Sequence, residues 1–166
     1  SDGAGEHGRL TEALSSAVSA LADSGVAIVP CGASLSYSAG TVVDRDKWIA
    51  IDFRRLDAIV RVDRTDRFVR VQAGCTWASL RTALDADRLR TPFWGPASGL
   101  FATIGGTVSN NGIFFGSASH GTIAHSLLGL TVMLADGRLL HTGCHTGSGN
   151  RASPVGPDLT HLFVGA

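Results

Sequence analysis

Residues 102–112 read Ala102-Thr103-Ile104-Gly105-Gly106-Thr107-Val108-Ser109-Asn110-Asn111-Gly112, a stretch without charge, aromatic ring or evident catalytic side chain. Side chains this small let backbone approach a neighbour or a ligand closely and tolerate unusual φ/ψ. Two readings follow. Either the peptide N–H groups converge on an anion, or the small residues let two packed elements touch. A second bare stretch, Pro30-Cys31-Gly32-Ala33-Ser34-Leu35-Ser36, lies about seventy residues earlier, directly after the apolar run Val26-Ala27-Ile28-Val29. Taken alone, it fits a strand-ending turn equally well. Neither stretch is a G-x-G-x-x-G opening a βαβ unit, and there is no G-K-[ST], so the dinucleotide fingerprint and the P-loop are absent. As a pair, they point to a diphosphate held by backbone amides instead of lysine or arginine.

The bulk properties agree with a small folded domain. The chain has 166 residues, 44% hydrophobic and 17% charged, enough for a core in one domain or two small lobes. Lys+Arg and Asp+Glu each total 14, which argues against a nucleic-acid footprint but not against a small anion on amides. The 21 glycines concentrate at 95–121 and 143–149, so they look positional. Cys31, Cys75 and Cys144 lack metal-like spacing. Their odd number suggests reduced thiols and a cytoplasmic protein. No run of about 18 apolar residues occurs, so no transmembrane segment is expected. Residues 1–9 have no signal-peptide pattern and read as a flexible N-terminal edge.

Periodicity supplies a coarse map. Leu10, Leu14, Val18 and Leu21 recur at helical spacing and predict a helix over 10–23 that Ser24-Gly25 stops. Strands are expected at 26–29 and 48–53, and a hairpin from 58–62 and 68–72 about the turn Asp63-Arg64-Thr65-Asp66. Thr76 can cap a helix from Trp77 to about Asp85. Residues 91–121 show no sustained period. Leu127–Leu134 and Leu139–Thr142 read as partner strands about Ala135-Asp136-Gly137-Arg138, 143–156 as a Gly/Ser/Asn-rich loop, and Pro157-Asp158 as a helix start for 159–163. Strands mixed with helices and hairpins define an α+β class, not a doubly wound sheet.

An ordered set of motifs now carries a resemblance. It comprises Val29–Tyr37, Ile49–Leu56, Val69–Trp77, Pro96-Ala97-Ser98, Ala102–Gly106, His120-Gly121-Thr122, Leu128–Val132, Ala135-Asp136-Gly137 and Gly156-Pro157-Asp158-Leu159 with Leu162–Gly165. Together these resemble the PCMH-type FAD-binding domain of the vanillyl-alcohol-oxidase / para-cresol-methylhydroxylase flavoprotein superfamily, over residues 11–165. Glycolate and D-lactate oxidoreductases and alkyldihydroxyacetonephosphate synthase are relatives. The resemblance implies two small α/β lobes over 10–166 with FAD extended between them, and a C-terminal substrate domain absent from this chain. Residues 30–36 would then form the pyrophosphate loop. Pro96, Ala97 and Ser98, with Ala102 and Thr103, would meet the flavin and ribityl chain. Gly105, Gly106, Ser109, Asn110, Asn111 and Gly112 would continue that wall, and Gly121 with Ile123 would lie toward adenine.

The chain departs from the family pattern in places. Its 30–36 loop is one residue shorter, with Cys31 and Ala33 where glycines are common. Gly112-Ile113-Phe114 replaces the usual Ala-Ser-Gly and is expected to bring apolar bulk near the cofactor. The chain stops at Val164-Gly165-Ala166, where family members continue into a flavin-contacting strand and a substrate domain. Some relatives attach flavin through His or Cys. No His occurs in 30–36 and Cys31 sits where an amide contact is expected, so FAD is expected to be non-covalent.

Other residues invite weaker readings. His141, Cys144 and His145 match no zinc spacing and read as solvent-facing, so no metal is expected. His120 and His125 read as surface or satisfied histidines before they read as flavin partners. Trp94 reads as a packing or turn residue, and the Asp/Arg-rich stretches 44–47 and 61–67 as solvated turns. No group forms a convincing base with an orienting partner, so the catalytic residues stay unknown. The expectation is the FAD-binding domain of a flavin-dependent oxidoreductase acting on a hydroxy acid or alcohol. It takes a small-molecule substrate in the full-length enzyme, involves no nucleic acid, and is compatible with a homo-oligomer. The alternatives are an alkyldihydroxyacetonephosphate-synthase-like flavoenzyme, which Ser36-Tyr37 and Gly156-Pro157-Asp158 resemble, and a non-catalytic flavin-binding remnant.

Overall fold

The computed structural model describes residues 3–37, 39–93, 95–143 and 157–166. Trp94, Cys144, His145 and the loop reading over 144–156 fall outside the described residues. The chain divides into two compact units: residues 1–28, 44–49 and 127–163, and residues 29–43, 50–126 and 164–166. Among the described residues the strands form three two-stranded sheets.

In the first unit, α1 (Gly3–Leu21) begins seven residues before the expected start at Leu10. Ser15 Oγ donates to Gly137 O at 2.6 Å and Val18 is buried, which ties this helix to the turn between β5 (Thr131–Met133) and β6 (Leu139–His141). The two strands pair antiparallel with Val132 opposite Leu140. β5 is shorter than the apolar run predicted, and just before it Leu130 is bonded to Thr142. Leu130 N–H donates to Thr142 Oγ1 at 3.1 Å, and the fully buried Thr160 Oγ1 donates to Thr142 Oγ1 at 3.0 Å. The last element is a 3-10 turn, Thr160–Phe163, begun by Asp158 Oδ1 accepting from Thr160 N–H.

β1 (Ala27–Cys31) pairs with β2 (Trp48–Asp52). Asp52 caps the 3-10 turn Phe53–Arg55, and hydrogen bonding to the Arg54 side chain holds its carboxyl down at about 2. In the second unit, β3 (Ile59–Asp63) and β4 (Phe68–Val71) form the expected hairpin, with Val62 opposite Val69. Asp63 Oδ1 closes its turn by accepting from Thr65 and Asp66 N–H at 3.0 and 2.8 Å. α2 (Trp77–Ala86) follows, capped by Thr76, whose side chain accepts from Ser79 N–H.

The core of this unit is aromatic. Trp77, Phe93 and Phe114 are all buried, with Phe93 stacked on Phe114 at 4.3 Å between centroids and Trp77 edge-on to Phe93 and tilted against Phe114. Phe114 is thus a core residue, and it is Ile113 beside it that is exposed. The aperiodic segment 91–121 is not unstructured. It holds α3 (Ile104–Ser109) and α4 (Ser117–His120), both too short for two turns of hydrophobic repeat.

Candidate functional site

Every residue singled out for the cofactor lies in the second unit. Residues 104–109 of the bare stretch 102–112 form the helix α3. Thr103 is the N-cap of α3, its Oγ1 accepting from Gly106 N–H at 3.2 Å, and Asn110 is the C-cap. Glycine in a helix costs about 1 kcal/mol relative to alanine. Packing explains Gly105, because a Cβ there would lie 2.8 Å from Ala73 Cβ and 2.9 Å from Ala73 O. The amides of this stretch are already engaged: Ile104 N–H donates to Cys75 O, Gly105 N–H to Ala73 O and Thr107 N–H to Thr103 O. Close packing therefore describes 104–107 better than open N–H donors do.

Of the expected loop 30–36, Pro30 and Cys31 end strand β1, and the rest behaves in the opposite way to 104–107. Among the described residues, none of the N–H groups of Gly32, Ala33, Ser34 and Leu35 donates a hydrogen bond. Ser34 has φ 54, left-handed backbone of the kind that turns successive N–H groups toward one side of a nest. Gly32 and Ala33 are half-buried and Ser34 and Leu35 exposed, so these four donors, unpaired among the described residues, are open to water or to an anion. Cys31, the last residue of β1 just before the loop, is a half-buried free thiol whose Sγ lies 3.7 Å from Val29 O. Cys75, by contrast, is fully buried, and desolvation pushes its thiol up to about 11.

The two bare stretches meet. Gly32 packs on the α3 N-cap so closely that a Cβ would overlap Thr103 Oγ1, and Ser36 Oγ donates to Asn110 Oδ1 at 3.2 Å. Trp77 Nε1 donates to Thr107 Oγ1 at 2.9 Å, and Thr107 Oγ1 donates to Thr103 O at 2.9 Å, so the aromatic core locks the helix on which the loop rests. Gly32→Ala is expected to displace Thr103 Oγ1 from Gly106 N–H and cost about 1–2 kcal/mol, the value of an N-cap. In a Thr103→Ala background the same change should cost close to nothing, because the nearest remaining atoms would be 3.5 Å away. Thermal melts of the four proteins close this cycle. Additive losses would contradict the contact.

The other expected residues are distributed around α3. Pro96 bridges to Phe114, and Ala97 and Ser98 form the following turn, closed by Gly99 N–H to Pro96 O at 3.0 Å. Ala102 O accepts from Trp77 N–H, and Ser109 and Asn111 are exposed at the helix end. Gly112 N–H donates to Thr107 O, and Gly112 O accepts from Ile123 N–H at 3.4 Å, so the Ile123–Ser126 turn sits beside the helix. Ile123 is a core side chain, whereas Gly121 precedes this turn with φ 76. Exposed His125 accepts from Thr122 N–H at 3.2 Å, and His141 pairs with Thr131 Oγ1 at 3.0 Å. No group of three His, Cys, Asp or Glu able to hold a metal occurs among the described residues. A cavity of about 120 Å³ between α2 and 89–93 is lined by Trp77, Leu80, Leu84 and Phe93 and does not include the bare loop.

The arrangement is an α+β unit in which a short loop with four amides unpaired among the described residues rests on the α3 helix. Comparison with known sequences gives its class, since the FAD binding domain family matches residues 9–143. The chain belongs to this family, within the VAO/PCMH flavoprotein superfamily. It is 29% identical over 159 residues to the glycolate oxidase subunit GlcD of Bacillus subtilis, covering 95% of this chain and 32% of that protein. It is 30% identical over 141 residues to a probable mitochondrial D-2-hydroxyglutarate dehydrogenase of Oryza sativa, covering 85% of this chain and 24% of the relative. A solved alkyldihydroxyacetonephosphate synthase structure superposes with TM-score 0.74 over 93% of this chain and 27% of its own, at 20% identity. That likeness establishes the fold. The chain spans about a third or less of the length of these relatives. Among the described residues, no helix is long and apolar enough to cross a membrane.

Proposed function

We propose that this chain is the FAD-holding part of an oxidoreductase that acts on a small 2-hydroxy acid. The carrying observation is the run of four amides at Gly32–Leu35 that are uncommitted among the described residues, set against α3 in a chain of the FAD binding domain family. In this reading the segment Pro30–Ser36 lies along the diphosphate, and the main-chain N–H groups of Gly32–Leu35 hold it. Pro96, Ala97, Ser98, Ala102 and Thr103 face the flavin and ribityl portion. Gly105 and Gly106 contribute by allowing close packing, and Ser109–Gly112, Gly121 and Ile123 complete the wall.

FAD supplies hydride acceptance when bound, and the protein supplies position and electrostatics. The FAD is held non-covalently. Cys31 and Cys75 are free thiols, which suits a reducing compartment, and we read the protein as cytoplasmic. The hydroxy-acid class is favoured by the sequence relatives, named for glycolate, D-lactate and D-2-hydroxyglutarate. The substrate-binding groups and the base are assigned to polypeptide beyond this chain, since the relatives are three to four times longer.

Titration with FAD tests the reading. Binding is expected to quench FAD fluorescence with Kd about 1 μM or below, and acid precipitation should release all the flavin into the supernatant. Unquenched flavin at about a hundredfold higher concentration would overturn FAD binding, and yellow pellet would overturn the non-covalent form. Anaerobic bleaching by D-lactate, glycolate or D-2-hydroxyglutarate, in the complete gene product, checks the substrate class.

A further inference from the structure

The four uncommitted amides raise a question of what holds their loop in shape. Its backbone makes no bond of its own from 32 to 35 among the described residues, so the anchors must lie at its ends. Both ends rest on the caps of one short helix: Gly32 on the N-cap Thr103, and Ser36 on the C-cap Asn110. Asn110 is itself fixed, since its Nδ2 donates to Gly106 O at 2.8 Å and so turns Oδ1 toward Ser36. The lengths agree. Seven residues of helical rise separate the caps by roughly 10 Å, and the four links from 32 to 36 reach at most about 14 Å when extended. The loop therefore spans α3 from cap to cap, its slack taken up by bends at Gly32 and Ala33 and by left-handed Ser34.

We propose that α3 serves as a ruler for the anion loop and that Asn110 is a positioning residue, holding Ser36 so that the N–H groups of 32–35 are preorganised. This deepens the diphosphate role proposed above and rests on it. Asn110 bears on the diphosphate through Ser36.

The test uses Asn110→Ala, Ser36→Ala and the double variant. Leu35 and Tyr37 are exposed, so chymotrypsin reports on the loop without any ligand. Each single change should raise cleavage after Leu35 or Tyr37 about fivefold, the loss of one hydrogen bond, and the double should add little more. The melting temperature should move by no more than about 2 °C. FAD affinity should fall about 5–10-fold, while riboflavin, which carries no phosphate, binds as before. Unchanged cleavage, additive effects, or equal losses for FAD and riboflavin would overturn the proposal. If the unaltered protein binds no FAD, the proposed function falls, and the cleavage rates still decide whether the ruler exists.

Discussion

Trp77→Ala is expected to lower the stability of the second unit by about 3–5 kcal/mol, the range for removing a large aromatic side chain from a core. For a chain of this size that corresponds to roughly 6–20 °C in melting temperature. The side chain is 4% exposed, lies 5.8 Å from Phe93 and 5.4 Å from Phe114 between ring centroids, and donates to buried Thr107. Truncation therefore removes packing on two sides and leaves the Phe93–Phe114 stack facing a void. Trp77→Phe separates the contributions. It keeps most of the ring contact but loses the donor to Thr107 Oγ1, worth about 1 kcal/mol. Denaturant unfolding of both variants measures the difference, and an alanine variant costing under about 1.5 kcal/mol would show that the aromatic cluster is not the centre of this core.

The second large effect is on binding. Gly105→Val places a branched side chain where even a Cβ meets Ala73 Cβ at 2.8 Å and Ala73 O at 2.9 Å. Ala73 O also accepts the Gly105 N–H, so backbone must part from backbone at the point where α3 is pinned to 73–75. Overpacking of this kind costs about 1–3 kcal/mol. Because both caps of α3 hold the 32–36 loop, FAD affinity should fall by at least about tenfold, or about 1.4 kcal/mol. Gly106→Ala is the contrast. A Cβ there meets only Thr103 Oγ1, at 3.0 Å, and both flavin retention and stability should change far less. Circular dichroism should show α1 intact in either variant. A Gly105→Val protein that stays yellow would contradict the role given to this segment.

Much of the architecture could be read from local pattern. The hairpin β3–β4 and helix α2 fall close to their expected limits, because alternation at 58–72 and the Thr76 cap are nearest-neighbour signals. The expectation at α1 starts too late, since its first turns carry Gly3, Ala4 and Gly5 and have no apolar repeat to count. The helix α3 escaped because six residues cannot display a period, and its two glycines read as loop. The cap Thr103 with its acceptor for Gly106 N–H was the available signal. His120, His125 and His141 are exposed, and His125 and His141 have ordinary partners, in keeping with the bland reading of them.

The sequence by itself determined that this is an α+β chain of the FAD binding domain family with two bare stretches, because order and spacing of motifs survive without coordinates. Only the tertiary structure decided how those stretches divide the work. Whether an N–H is open or engaged depends on which carbonyl lies opposite it. Ala73 and Cys75 take the amides of 104–105 from thirty residues away, while no described group takes those of 32–35. Small side chains permit both outcomes, and the partner across the fold selects between them.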